Sequence, residues 1–139
     1  MLGAQPALLW VAAPAGGWVP LLVESLRWGI PREPAWVDGA VTDNPNAAAT
    51  LVTKTVTVGK TGRLFGLSID ADEANTFGVY EDATEKLHFS LGSAGVVLVV
   101  TPGPILDSIA ASVVVTIKNI GAGGGAGKKY QARLLYDEA

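Results

Sequence analysis

Leu51-Val-Thr-Lys-Thr-Val-Thr-Val58 decides the fold class of this chain. Val52, Val56 and Val58 fall on one parity, and Thr53, Thr55 and Thr57 on the other. A period of two places valines on one face of a strand and threonines on the other. β-branched residues at both parities favour extended backbone over helix.

The same period runs downstream. Arg63–Asp70 predicts a strand with Phe65, Leu67 and Ile69 inward. Thr76–Tyr80 offers Phe77 and Val79 to a core. Lys86–Leu91 sets Leu87, Phe89 and Leu91 against Lys86, His88 and Ser90. Val96–Thr101 is apolar at both parities, which predicts a central strand covered on both faces. Ser112–Ile120 alternates through Val113, Val115 and Ile117, and Lys129–Tyr136 through Tyr130, Ala132, Leu134 and Tyr136. Turn residues separate these runs at Gly59–Gly62, Glu81-Asp82, Gly92–Gly95, Pro102-Gly-Pro104 and Gly121–Gly127. Short helical turns are expected near Asp72–Asn75 and Leu106–Ala111. Strands at roughly ten-residue spacing predict an all-β fold, an antiparallel β-sandwich or jelly roll of about seven to nine strands.

Upstream the composition changes. Six of the eight prolines and all four tryptophans precede residue 46. Proline removes amide donors and breaks helices. Residues 1–49 therefore read as an extended Pro/Trp-rich N-terminal arm with short strands at Ala7–Ala12 and Trp18–Glu24, and residues 50–139 as the β-sandwich domain. Trp28-Gly-Ile-Pro-Arg-Glu-Pro-Ala-Trp36 is too broken for a long regular element. Such a segment buries aromatics by lying along a surface, of its own domain or of a neighbour. Tryptophan is a strong interface anchor, and burying a large apolar side chain is worth about 2–3 kcal/mol. Leu9, Trp10, Val11, Trp18, Trp28 and Trp36 are the candidate assembly contacts. The competing reading has the tryptophans completing the domain core.

The bulk numbers bound the function. Charged residues make up 17% of the chain and apolar ones 49%, too apolar for disorder. No apolar run approaches the roughly 18 residues of a membrane span. A net charge of −3, with basic residues scattered apart from Lys128-Lys129, argues against nucleic-acid binding. The absence of cysteine excludes disulfides, thiolate metal sites and cysteine nucleophiles. The apolar start Met1–Ala15 lacks a basic segment and is interrupted by Pro6 and Pro14, so no export signal is read there.

The motifs that could carry chemistry are weak. Gly59-Lys-Thr-Gly62 lacks the upstream glycine and following helix of a phosphate loop, and reads as a hairpin turn. Gly121–Gly127 lies between two strand patterns and reads as a hairpin or contact loop rather than an anion nest. Asp70, Asp72 and Glu73 gather oxygen ligands suited to calcium, but carboxylates serve turns and caps equally well. Glu81, Asp82 and Glu85 read as a solvated loop rather than a glycosidase pair. His88, the only histidine, falls on the polar face of its strand, with no nucleophile elbow elsewhere. The sequence therefore predicts no enzyme and no cofactor.

Trp18–Val23, Val56–Asn75 and Tyr130–Tyr136 together resemble small β-sandwich virion structural proteins of tailed phages and other viruses. The likeness is one of cadence: strand, Gly-Lys-Thr-Gly turn, strand, then an Asn-centred loop. It implies a capsid decoration, cement or minor capsid subunit on the outer capsid surface. Its partners would be its own copies, as a homo-oligomer, and a capsid protein lattice. Two other readings stand beside it. One is a filament subunit that donates Ala7–Ala12 to a neighbour's sheet. The other is a carbohydrate- or receptor-binding module, which expects solvent-exposed tryptophans.

Overall fold

The computed structural model describes residues 33–43 and 45–139. Period-two segments become ten strands: β1 (Ala35–Asp38), β2 (Thr42–Asp43), β3 (Thr50–Thr55), β4 (Gly62–Ala71), β5 (Asn75–Glu81), β6 (Thr84–Leu91), β7 (Gly95–Val100), β8 (Leu106–Ile109), β9 (Val114–Asn119) and β10 (Lys129–Glu138). No helix forms among the described residues. The turn expected near Asp72–Asn75 is a bend, and that expected near Leu106–Ala111 holds strand β8.

The strands form two antiparallel sheets. The front sheet runs β1-β10-β4-β7, with β2 beside the start of β10 and β8 beside the start of β4. The back sheet runs β3-β9-β5-β6. The pairings nest. The β5–β6 hairpin lies innermost, enclosed in turn by β4–β7, β3–β9 and β1–β10. Residues 35–138 thus form one long antiparallel ribbon, doubled at Asp82-Ala83 and folded over so that its strand pairs alternate between sheets.

The core lies between the sheets, where period two sends one side chain in two. Leu64, Leu67, Ile69 and Leu134 face Phe77, Val79, Val115 and Ile117, all fully buried. Phe77 meets Tyr130 edge-on at 5.7 Å between ring centres, the geometry aromatic quadrupoles prefer.

Local irregularities shift three expected positions. The β3–β9 register slips between Thr50 and Val52, so adjacent Leu51 and Val52 both bury. Val58 leaves the strand for the turn and is 80% exposed. The β4–β10 register slips between Leu135 and Tyr136. Leu64 therefore takes the core position expected of Phe65, which is only half-buried. Gly66 makes this irregularity sterically workable, because a Cβ there would lie 2.3 Å from the Val99 carbonyl oxygen.

Ordered pairing begins ahead of residue 50. β1 lies in full register along β10, from Ala35 opposite Tyr136 to Asp38 opposite Arg133. Gly39 then donates its N–H to the Ala132 carbonyl at 2.9 Å. A Cβ at Gly39 would sit 2.1 Å from the Leu51 carbonyl oxygen, so only glycine lets the chain pass between β10 and β3.

Candidate assembly surface

Trp36 is the one predicted contact residue within the described part of the chain. Leu9, Trp10, Val11, Trp18 and Trp28 lie outside the described residues. On β1, Val37 packs against the core, so alternation sends Trp36 to the outer face of the front sheet. There it is half-buried opposite Leu135. The Arg133 guanidinium lies 4.6 Å from its ring centre and donates from Nε to Asp38 Oδ1 at 2.5 Å. A cation over the indole face, held by a carboxylate, fixes the ring in one orientation.

The same outer face ends at β7. Val97 and Val99 pack against the core, while Val96, Leu98 and Val100 are 57%, 65% and 58% exposed. This corrects the expectation of a central, doubly covered strand. Among the described strands β7 pairs only with β4, and it forms the margin of its sheet. A run apolar at both parities was legible as a strand, but not as one whose outer face is left exposed by the other described strands. Val96, Leu98 and Val100 are therefore an exposed apolar strip that sequence reasoning missed.

One end of the sandwich gathers the polar residues. Glu73 accepts hydrogen bonds at Oε2 from the Tyr130 hydroxyl, 2.7 Å, and from the Gly125 N–H, 3.0 Å. Asn75 Nδ2 donates to the Tyr130 oxygen at 2.6 Å and to the Ala122 carbonyl at 2.9 Å. Buried Asn119 ties the Asn46 and Ala122 carbonyls at 3.1 and 3.0 Å. The Gly124 N–H donates to the Pro45 carbonyl at 2.6 Å. These bonds hold the loop of residues 121–127 against its neighbours. The Tyr130 hydroxyl, more than any other partner, keeps the Glu73 carboxyl below its ordinary range. Burial, first, pushes the Tyr130 hydroxyl up.

The acidic trio thus divides its labour. Glu73 anchors the glycine loop, Asp72 accepts the Lys129 N–H at 3.0 Å, and Asp70 is exposed on the outer face opposite Val96. No group of three metal-ligating side chains occurs among the described residues.

The opposite end is tied by the C-terminus. Glu138 Oε1 accepts from the Thr57 N–H at 3.2 Å and the Tyr136 hydroxyl at 2.8 Å. Thr57, first, then Tyr136 and Lys54 draw the Glu138 carboxyl down to about 2 against opposing desolvation. Ala139 and Thr61 exchange backbone hydrogen bonds, both 2.9 Å. Gly59–Gly62 is consequently a clamped turn leading straight into β4. His88 sits exposed on β6, its Nδ1 2.8 Å from Glu85 Oε2.

The described surface thus presents a pinned indole, an apolar strip at a sheet margin and loops tied at both ends. Comparison with protein-family models, with curated proteins and with solved structures returns no match for the chain.

Proposed function

We propose that this chain is a non-enzymatic virion structural protein, a capsid decoration, cement or minor capsid subunit on the outer capsid surface. The observation that carries the reading is the nested strand order. Eight strands paired as β1–β10, β3–β9, β4–β7 and β5–β6 and alternating between two sheets support a jelly roll, an architecture common in capsid and lectin domains. Strands β2 and β8 are additions to that frame.

The face of the front sheet supports assembly over catalysis. It offers Trp36 and exposed Val96, Leu98 and Val100, the kind of apolar contact area partners cover. Residues 1–32 precede β1 in the sequence and carry three further tryptophans, Trp10, Trp18 and Trp28. In this reading the segment acts as the arm that engages a capsid lattice or a neighbouring copy.

The glycan-binding alternative draws less support. It needs exposed aromatic platforms, whereas the exposed large apolar side chains of the described residues are Val41, Val58, Val96, Leu98 and Val100.

Light scattering of the full chain beside a chain starting at Pro34 tests the arm. The cut spares β1, whose pairing with β10 an excision to residue 45 would destroy. The full chain is expected to form assemblies larger than the shortened one, with both melting cooperatively. Identical masses for two well-folded proteins would remove the arm as an assembly device.

A further inference from the structure

The open margin of β7 has a hydrogen-bonding pattern that selects its partner. The Thr101 N–H donates to the Phe65 carbonyl at 3.0 Å, in the register that pairs Gly66 with Val100. Hydrogen-bonded and non-hydrogen-bonded pairs alternate along an antiparallel ladder. Gly66–Val100, Ser68–Leu98 and Asp70–Val96 are therefore the non-hydrogen-bonded pairs. It follows that the N–H and C=O groups of Val96, Leu98 and Val100 point away from β4, into the open margin. No other described strand pairs with these groups, and the residues that carry them are those with exposed side chains.

We propose that β7 pairs antiparallel with β7 of a second copy about a two-fold axis at Leu98, merging two front sheets into one continuous sheet. In this register Leu98 lies opposite the partner's Leu98, and Val96 opposite the partner's Val100. All three residues then exchange both backbone groups with the partner. Their exposed side chains form one apolar cross-strand ladder. A slip of one residue would set outward side chains opposite inward ones. A slip of two would leave backbone groups of Val96 or Val100 unpaired.

The occupant follows from charge and length. A two-fold axis at Leu98 sets the outward residues of one copy of the strand against those of the other, so a strand whose outward charges share one sign meets like charge. Residues 92–101 carry no charge, and β7 meets no such penalty. Pro102 and Pro104 have no N–H and end the pairable margin on one side, while the turn at 92–94 ends it on the other. Because the contact is isologous, it consumes the margin and closes at a dimer. The pairing stands on β4 and β7 and not on residues 1–32. A chain that dimerises through β7 yet ignores capsid lattices would defeat the decoration reading and leave this one intact.

Single-cysteine variants of the full chain test the register, since the native chain has none. Cα atoms of Leu98 and the partner's Leu98 would be about 5.5 Å apart. Those of Val96 and the partner's Val96 would be about 14 Å apart. With a short bismaleimide, Leu98→Cys is expected to cross-link to covalent dimer and Val96→Cys to stay monomeric. A mixture of Val96→Cys and Val100→Cys should cross-link to the heterodimer. Leu98→Lys should raise the dimer dissociation constant by about 100-fold or more in analytical ultracentrifugation, with an unchanged circular dichroism spectrum. Equal cross-linking at all three positions, or a monomeric native chain up to millimolar concentration, overturns the proposal. Cross-linking of Leu98→Cys only to a chain carrying Leu9→Cys would also overturn it, by making the N-terminal strand the occupant.

Discussion

β6 and β7 are consecutive strands and each forms a margin of its sheet, yet they treat that margin in opposite ways. β6 carries Glu85, Lys86 and His88 outward, and a register shift lies between Val79 and Tyr80 on its partner strand. Charges and bulges are the usual means of keeping a strand from pairing with a stranger. β7 carries Val96, Leu98 and Val100 outward, with no charge and no register shift against β4. Both strands put their other face into the core, through Leu87, Phe89 and Leu91 and through Val97 and Val99. The contrast therefore lies in the outward residues and in the register shift beside β6, and not in the face turned to the core. Among the described residues one margin is guarded and the adjacent one is bare, which is the condition the proposed β7 contact requires.

Exchanging the guards should have the largest effect. Val96→Glu with Leu98→Lys on β7 is expected to abolish self-association. Glu85→Val, Lys86→Val and His88→Val on β6 should produce species larger than the native ones, read by light scattering. Unchanged masses in both variants would show that the outward residues do not set association.

Next in size is the difference between inward and outward truncation. Leu87 packs against the core and Leu98 is 65% exposed. Leu87→Ala should cost about 2 kcal/mol in urea unfolding and Leu98→Ala less than about 0.5 kcal/mol, at concentrations where both are monomeric. Equal costs would place Leu98 in the fold rather than on its margin.

Acid separates the carboxylate-tied ends of the sandwich from the neutral margin. The folded-state pKa of Glu138 is about 2, below its ordinary value of 4.5. The stabilisation it brings is therefore present above the ordinary value and is lost as pH falls from about 4.5 towards 2. Thermal melts should decline over that window, and Glu138→Gln should flatten the decline. The β7 contact holds no titratable group, so dimerisation above pH 5 should not track pH.

Salt should have the smallest effect. The β7 contact is uncharged, so raising sodium chloride to about 1 M should leave the dimer constant within a few-fold. A steep weakening would mean that charged side chains, and not the β7 ladder, hold the copies together.

Much of the fold was legible because strand formation is a local matter. Phe77 and Val79, Val115 and Ile117, and Tyr130, Ala132 and Leu134 sit inward where the period of two puts them. The glycine and proline turns fall between these strands for equally local reasons. Of the predicted contact residues only Trp36 lies among the described ones, and its outward placement follows from the alternation with Val37.

What sequence alone determined is that this chain is all-β, since side-chain alternation and turn residues act over a few positions. Tertiary structure decided the rest, because pairing joins residues far apart in the chain. A four-residue strand between Pro34 and Gly39 has little intrinsic stability, and β1 exists because β10 offers it a full register. Leu64 displaced Phe65 from the core because the β4–β10 ladder slips at that point. Val96–Val100 is equally apolar whether a strand lies beside it or not. Only the assembled sheet, with β4 on one side and an open margin on the other, fixed which of its residues face outward.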